Sequence, residues 1–241
     1  MISYGRTDVG SKRQMNQDYV YYSDKPVGNL PNLYIVADGM GGHKAGDVAS
    51  RYTVTQFVSH IKENNGRNPI SIIDDAILKA NEELIELANT NEDFDGMGTT
   101  LVVCSYIDKS LFIANIGDSR LYLINKEKIK QITRDHSYVE EMVSNGEISR
   151  SNARLHEKKN IITRAVGASM DVISDIFEIS YHHGDIILMC TDGLSNMVDD
   201  ETIKDIVLNH QDLELATKKL VDEANKNGGK DNISVLIVRP E

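Results

Sequence analysis

Cysteine is scarce in this chain, and tryptophan is missing from it. The 241 residues contain two cysteines, Cys104 and Cys190, and no Trp. Both cysteines lie inside apolar runs, which is typical of buried free thiols in a reducing compartment. Neither is followed six positions later by the arginine that a cysteine nucleophile in an anion-binding loop requires. Chemistry at cysteine is therefore not expected.

Basic charge is also in short supply. The chain has 26 Lys and Arg against 37 Asp and Glu, a formal net charge of −11. A nucleic-acid partner requires a basic surface, so no nucleic-acid binding is expected. The excess of acid has two interpretations at this point: it keeps the protein in solution, or it includes acids gathered to bind cations.

Long apolar runs, linkers and internal repeats are missing as well. The chain has four prolines and no low-complexity segment or charge block that would divide it. Residues 1–12 form no apolar segment of signal-peptide length, and no run approaches the length of a membrane span. We therefore expect one domain over residues 1–241 that is cytoplasmic, monomeric and not membrane-bound.

Two periodicities predict the secondary structure. Residues 68–89 place apolar side chains three and four positions apart after Asn68 and Pro69, which predicts a capped helix. Further helices are predicted at 45–61, 137–145, 200–209 and 213–227, and strands at 19–23, 33–37, 173–179, 186–191 and 233–238. Apolar runs at 99–107, 110–117 and 120–125 are separated by two-residue joints, which predicts a meander of antiparallel neighbours. Helix pairs beside antiparallel strands favour an α+β fold.

Acids stand where several of these strands meet their turns. The set is Asp18, Asp38, Asp118, Asp192 and Asp231, and glycine flanks three of them in the motifs VADG, IGD and TDG. A single such Asp is usually a turn residue, and spacing alone does not prove that the acids converge. If they do, mutual repulsion requires cations or protons among them. An all-oxygen ligand set suits Mg²⁺ or Mn²⁺ better than Zn²⁺.

Seven short motifs give the chain a family resemblance. They are RQMNQD (13–18), VADGMGG (36–42), GTT (98–100), NIGDSR (115–120), TRDHS (133–137), CTDGLS (190–195) and GGKDNIS (228–234). In this order they resemble the metal-dependent protein phosphatases of type 2C, over essentially the whole chain. The likeness is to the compact, stand-alone bacterial Ser/Thr phosphatases that are paired with eukaryotic-like kinases.

The resemblance implies a fold and a metal site. The fold is a central sandwich of two antiparallel β-sheets flanked by helix pairs, with the metals at one end. Carried over position by position, Asp38 bridges two Mn²⁺ or Mg²⁺ ions, Asp192 and Asp231 complete one of them, and Asp18 and the Gly39 carbonyl serve the other. Asp118, together with Asp192, holds a third and weaker ion. Arg13 binds the substrate phosphate.

The resemblance also leaves points open. Animal members carry a His directly after the Asp-Gly pair as the proposed general acid, whereas this chain has Met40 there. The proton then comes from a metal-bound water or from His43, for which an ordering role at a helix start is the alternative. For Asp135 and His136 a turn or a helix cap is as good an explanation as a role in the site. Residues 144–164, with five Lys or Arg against two Glu, correspond to a variable flap that either attracts phosphoproteins or is merely solvated.

Three functions are therefore compared. The first is a Mn²⁺- or Mg²⁺-dependent phosphatase that acts on phosphoserine and phosphothreonine in proteins and opposes a eukaryotic-like kinase. The second is a binding module of the same fold without catalysis, which is expected to lose metal ligands, whereas all five acids are present. The third is a metal-dependent hydrolase of small phosphate esters or nucleotides, which only a comparison of substrates separates from the first.

Overall fold

The computed structural model describes residues 1–42, 45–153 and 156–240. The strands are β1 (Ile2–Asp8), β2 (Asp18–Ser23), β3 (Leu33–Met40), β4 (Gly98–Thr99), β5 (Leu101–Ile107), β6 (Ser110–Ile116), β7 (Arg120–Ile124), β8 (Ile129–Gln131), β9 (Asp175–Ser180), β10 (Ile186–Cys190) and β11 (Ile233–Arg239). The helices are α1 (Ala45–Glu63), α2 (Pro69–Ala88), α3 (Tyr138–Ser144), α4 (Arg150–Ala153), α5 (Asp192–Ser195), α6 (Asp200–Asn209) and α7 (Leu213–Lys226). The predicted candidate His43 lies outside the described residues.

The strands form two antiparallel sheets. One sheet has the order β1-β11-β10-β7-β8, and the other has the order β2-β3-β5-β6-β9 with β4 paired to β3. Successive residues of a central strand face opposite layers: Ile187 and Met189 of β10 lie in the core between the sheets, whereas Leu188 and Cys190 pack in the core that includes α6 and α7. Because both faces of β10 are buried, its sequence is one continuous apolar run.

Helices cover the outer face of each sheet. The apolar faces of α1 and α2 share one core cluster with Leu33, Ile35 and Ala37 of β3. Those of α6 and α7 pack on the other sheet. The predicted start of α2 is confirmed, since the Asn68 side chain accepts hydrogen bonds from the Ile70 and Ser71 amides. The layers are helices, sheet, sheet and helices, so the predicted α+β sandwich is confirmed.

The predicted three-stranded meander is wrong at its second joint. β5 and β6 are antiparallel neighbours, joined by Asp108 and Lys109 with φ of 48° and 70°, the positive values that a two-residue type I′ hairpin requires. The second joint, Asp118-Ser119, has no positive φ. Here the chain leaves β6 and enters β7, which pairs with β8 and β10 in the other sheet. Joint length alone did not distinguish a hairpin from a crossing between sheets.

The sequence patterns did not predict β1 and β8, and they predict a start for β9 that is too early. β1 pairs with β11 over seven residues although it contains no apolar run, and the short β8 pairs with β7. The strand predicted to begin at Ile173 begins at Asp175, and the Ile173 side chain is 65% exposed. No helix in the described ranges is both long enough and apolar enough to cross a membrane.

Candidate active site and metal centre

Asp18 and Asp38 are brought together by strand register. Asp18 begins β2, Asp38 lies near the end of β3, and the two residues are direct partners in this antiparallel pair. The next residue, Gly39, allows α1 to approach closely, because a β-carbon on Gly39 would lie 1.9 Å from the Gly46 carbonyl oxygen. The glycine after Asp38 is therefore required by packing, and its carbonyl lies at the same end of the sheet.

The three other acids come from both sheets. Asp118 lies in the crossing from β6 to β7, and Asp192 follows β10 as the first residue of α5. Asp231 precedes β11 in the turn after α7. A cavity of about 250 Å³ is lined by Asp38, Asp118, Asp192 and Asp231 together with Arg13 and Gly39. Asp18 is buried beside Asp38, so the structure brings together all the predicted site residues that it describes.

Burial and mutual repulsion dominate the electrostatics of these acids. Burial, followed by the negative charges of the other four acids, raises the pKa of Asp38 well above its usual value. Burial and the charges of Asp192 and Asp135 likewise raise the pKa of Asp118. Burial raises the pKa of Asp18 to about 7 and, with the charge of Asp231, that of Asp192 to about 6. The cluster is short of positive charge.

The donor set suits hard divalent cations. All of its side chains are carboxylates, and the carbonyl of Gly39 adds a further oxygen. Within the described part of the chain, Asp18 Oδ1 and Asp192 Oδ1 are buried without a hydrogen-bond partner. In the same part of the chain, no three His, Cys, Asp or Glu side chains are close enough together to hold a metal ion as they stand. The cluster thus keeps two buried acceptors without a partner, and a ligand set of oxygens alone suits Mn²⁺ or Mg²⁺.

Arg13 lies at the mouth of this cavity. Its Nη2 donates to Asp231 Oδ2 at 2.9 Å, and its side chain is about half exposed. The loop that carries it is fixed to the turn before β11, where the amides of Ser11 and Lys12 donate to the Gly229 carbonyl. The guanidinium is thus held where an anion entering the cavity would meet it.

Three uncharged residues of the motifs organise the site and were not assigned a role from the sequence. Thr191 donates to Asp18 Oδ2 at 2.8 Å and accepts from the Ser234 amide, which links the two sheets. Thr100 accepts from the Asp38 amide at 2.9 Å. The Asn232 amide group donates to the carbonyls of Val9 and Met15. Their positions inside the motifs were the only available signal, since each acts through a distant partner.

Part of the predicted flap also lies at the site. Asn160 and Ile162 line the cavity that contains Asp38. Arg150 and Lys159 line a second cavity of about 370 Å³, which shares Asp118 and Asp192 with the first. Arg150 is paired with Glu140 at 2.8 Å, which reduces the free positive charge of this segment. Residues 154 and 155 of the flap lie outside the described residues.

Curated relatives cover nearly the whole chain. A serine/threonine phosphatase Stp of Listeria monocytogenes is 39% identical over 238 residues, 97% of this chain and 93% of the relative. The protein phosphatase PhpP of Streptococcus pneumoniae is 39% identical over 234 residues, 96% of this chain and 94% of its own.

Solved structures of serine/threonine phosphatases are also similar to this chain. The serine/threonine phosphatase Stp1 from Staphylococcus aureus superimposes with a TM-score of 0.92 at 34% identity, over 99% of this chain and 94% of that one. The catalytic domain of the serine threonine protein phosphatase PstP, in complex with two manganese ions, superimposes with a TM-score of 0.86 at 32% identity, over 98% and 96%. The family model for protein phosphatase 2C matches residues 8–232. The chain therefore belongs to the protein phosphatase 2C family of metal-dependent serine/threonine phosphatases.

Proposed function

We propose that this chain hydrolyses phosphoserine and phosphothreonine in phosphoproteins at the cavity around Asp38. Its family supports the reaction class. The location rests on the convergence of five carboxylates at one end of the sandwich. There the negative charges of the other four acids add to burial in raising the pKa of Asp38. A binding module of this fold has no need to retain such a set, whose burial and repulsion are unfavourable without cations.

The carboxylates and one carbonyl are proposed to hold divalent cations, Mn²⁺ or Mg²⁺. The proposed ligands are Asp18, Asp38, Gly39, Asp118, Asp192 and Asp231. In this scheme Asp38 would be shared by two cations, and Asp118 would serve only a third and weaker one. Divalent cations in such a site acidify a water molecule and offset the charge of the phosphate. The chain itself then supplies no covalent nucleophile.

Arg13 is proposed to orient the phosphate. A guanidinium donates two parallel hydrogen bonds to an oxyanion, a geometry that lysine does not reproduce. Its present partner, Asp231, is one of the proposed cation ligands. In the proposed reaction, Arg13 would exchange this partner for a phosphate oxygen. The exposure of its side chain supports this exchange.

Proton delivery to the leaving group is assigned to His43 or to water. Met40 lines the cavity at the position where animal members carry their proposed acid, and a thioether cannot donate a proton. His43 follows on the same loop of the sequence. A helix-start residue that orders the loop is the alternative role for His43.

The proposal also gives a role in substrate attraction to the basic segment 144–164, and it includes an opposing kinase. Lys159 lies beside Asp192 and Asp118 at the second cavity, where it favours an approaching phosphoprotein. A eukaryotic-like Ser/Thr kinase as the enzyme that this phosphatase opposes rests on the family resemblance alone.

A phosphopeptide panel tests the function. We expect Mn²⁺-dependent release of phosphate from phosphoserine and phosphothreonine peptides, its loss with a chelator, and much slower hydrolysis of free sugar phosphates and nucleotides. Faster hydrolysis of the free metabolites would favour the small-ester hydrolase instead.

Asp38→Ala tests the location. We expect it to abolish turnover while leaving a folded protein, because the residue shared by the proposed cations is lost. The exposed Asp205 of α6 provides the matched control, and Asp205→Ala should retain wild-type turnover. A folded Asp38→Ala protein with substantial Mn²⁺-dependent activity would place the reaction elsewhere.

A further inference from the structure

The segment TRDHS, residues 133–137, lies against the crossing that carries Asp118. The crossing begins at Gly117, whose φ of +100° and contact with Thr100 leave no room for a side chain. The cap of α3 is Ser137, whose hydroxyl accepts from the Glu140 amide. Asp135 and His136, which precede this cap, instead contact the residues on the two sides of Asp118.

His136 binds Gly117 at two points. Its backbone amide donates to the Gly117 carbonyl at 2.9 Å, and its Nδ1 lies 3.1 Å from the Gly117 nitrogen. An amide is always a donor, so Nδ1 must be the acceptor and the ring hydrogen must lie on Nε2. Nε2 lies 3.1 Å from Asp175 Oδ2, and the other oxygen of this carboxylate, Oδ1, accepts from Arg164. Both ring nitrogens of this buried histidine are therefore satisfied in one tautomer.

The ring is neutral in this arrangement. Burial lowers the pKa of His136 below its usual value, against the opposing effect of Asp175. A protonated ring would place a hydrogen on Nδ1 facing the Gly117 amide, two donors against each other. The contact with Gly117 thus depends on a histidine that is kept neutral.

Asp135 fixes the other side of the crossing through Arg120. Arg120 Nε donates to Asp135 Oδ1 at 2.9 Å, and Nη2 donates to Oδ2 at 2.6 Å. Both side chains are largely buried, at 17% and 12% exposure. The positive charge of Arg120 opposes the rise in pKa of Asp118 and Asp192. Arg120 is therefore a fixed cation beside the carboxylate cluster, and Asp135 holds its guanidinium in place.

We propose that His136 and Asp135 are positioning residues that hold the Gly117–Arg120 crossing from both sides and thereby set the place of the Asp118 carboxylate. This inference rests on the proposed function, in which Asp118 binds a cation. Neither residue lines the cavity that contains Asp38, although Asp135 lines the second cavity beside Asp118. Their effect on the reaction passes through Asp118.

Two substitutions of His136 separate its two nitrogens. In His136→Asn the side-chain oxygen replaces Nδ1 and still accepts from the Gly117 amide. In His136→Gln the terminal group replaces Nε2, and the acceptor for Gly117 is lost. Asp118→Ala should remove the Mn²⁺ binding that depends on this carboxylate. We expect His136→Gln to weaken that same binding by roughly 10–100-fold, the range for residues that orient metal ligands. His136→Asn should stay close to wild type, and Asp135→Asn should resemble His136→Gln.

Calorimetric Mn²⁺ titration provides the measurement and needs no substrate. His60→Gln is the matched control, because His60 is a mostly buried histidine paired with Glu83 at 2.9 Å between α1 and α2. It should leave Mn²⁺ binding unchanged, whatever its effect on thermal stability. In an Asp118→Ala background, His136→Gln should add no further loss of Mn²⁺ binding or turnover, since both act on one element.

Three results would overturn the proposal: wild-type Mn²⁺ binding in His136→Gln, an equal loss in His136→Asn, or an undiminished effect in the Asp118→Ala background. If His136→Gln does not fold, Asp135→Asn tests the other side of the crossing by the same titration. Absence of phosphopeptide turnover in the wild-type protein would overturn the proposed function instead, and the titration would still report on the crossing.

Discussion

Arg13 has one anionic partner in the structure, Asp231, and a second in the proposed reaction. Its contact with Asp231 is half exposed, so water screens it and it contributes little to stability. A charge-assisted contact to a phosphate inside the cavity contributes more, because fewer water molecules compete for it. In the proposed function, Arg13 therefore contributes to substrate binding more than to stability.

Arg13→Ala is expected to lower kcat/KM by about one to two orders of magnitude, since a hydrogen bond to a charged group contributes about 1.5–3 kcal/mol. Arg13→Lys keeps the charge but not the two parallel donors, and it should recover only part of this loss. Steady-state kinetics on a phosphothreonine peptide measure both. Unchanged kinetics in Arg13→Ala would show that the side chain is merely a solvated loop residue.

The role of His43 in proton delivery is tested by comparing substrates whose leaving groups differ in acidity. If it is the general acid, His43→Ala should slow a phosphothreonine peptide by about 10²–10⁴-fold. It should barely affect a nitrophenyl phosphate, whose leaving group is far more acidic and hardly needs a proton. An equal loss on both substrates would mean that His43 orders the loop and that water supplies the proton.

At the scale of elements, local sequence decides α2 almost by itself. Asn68 caps the helix, Pro69 fits its first turn, and apolar residues recur on one face. This cap lies in the helical layer outside the sheet, and its side chain bonds only to amides of its own helix among the described residues. Stability and activity should therefore separate there.

Asn68→Ala should lower the free energy of unfolding by about 0.5–2 kcal/mol, the usual effect of losing such a cap. In a chain of this size that corresponds to a fall in Tm of about 2–4 °C per kcal/mol. Thermal unfolding and phosphopeptide kinetics measured together check this, with the exposed Ser71→Ala as control. A clear loss of kcat in Asn68→Ala would show that the helix layer is coupled to the site.

At the scale of the whole molecule, the carboxylate cluster opposes folding in the absence of cations. The pKa of Asp18 is raised from 3.8 to about 7, and that of Asp192 to about 6, by burial and by neighbouring acids. The native state therefore holds protons that the unfolded state has released above about pH 4. Stability of the chelator-treated protein must fall as pH rises through these values.

We expect the Tm of chelator-treated protein to decrease as the pH rises from about 5 to about 7, between the unfolded and the native pKa values of these acids, and added Mn²⁺ to reverse the decrease. Differential scanning calorimetry across this range provides the measurement. Asp18→Asn removes one titrating group and should flatten the dependence. A Tm that is constant or rises with pH in the chelated wild type would contradict the raised pKa values.

The sequence by itself determined the elements and the identity of the acids. Apolar runs, the Asn68 cap and the positions of Asp38 and Asp192 at strand ends are local patterns, and the ordered motifs indicated the family. Periodicity failed for β1, which has no apolar run and is stabilised by pairing with β11. It also failed at Asp118, where a two-residue joint crosses to the other sheet instead of forming a hairpin.

Only the tertiary structure decided how the site is assembled. Asp18 meets Asp38 through strand register, and Thr191 joins Asp18 to the opposite sheet. Asp135 and His136 reach the crossing through contacts 15 and 19 residues away along the chain. Burial, charge repulsion and hydrogen bonding of this kind depend on which groups the folded chain places together. No window of neighbouring residues contains that information, because the partners are far apart along the chain.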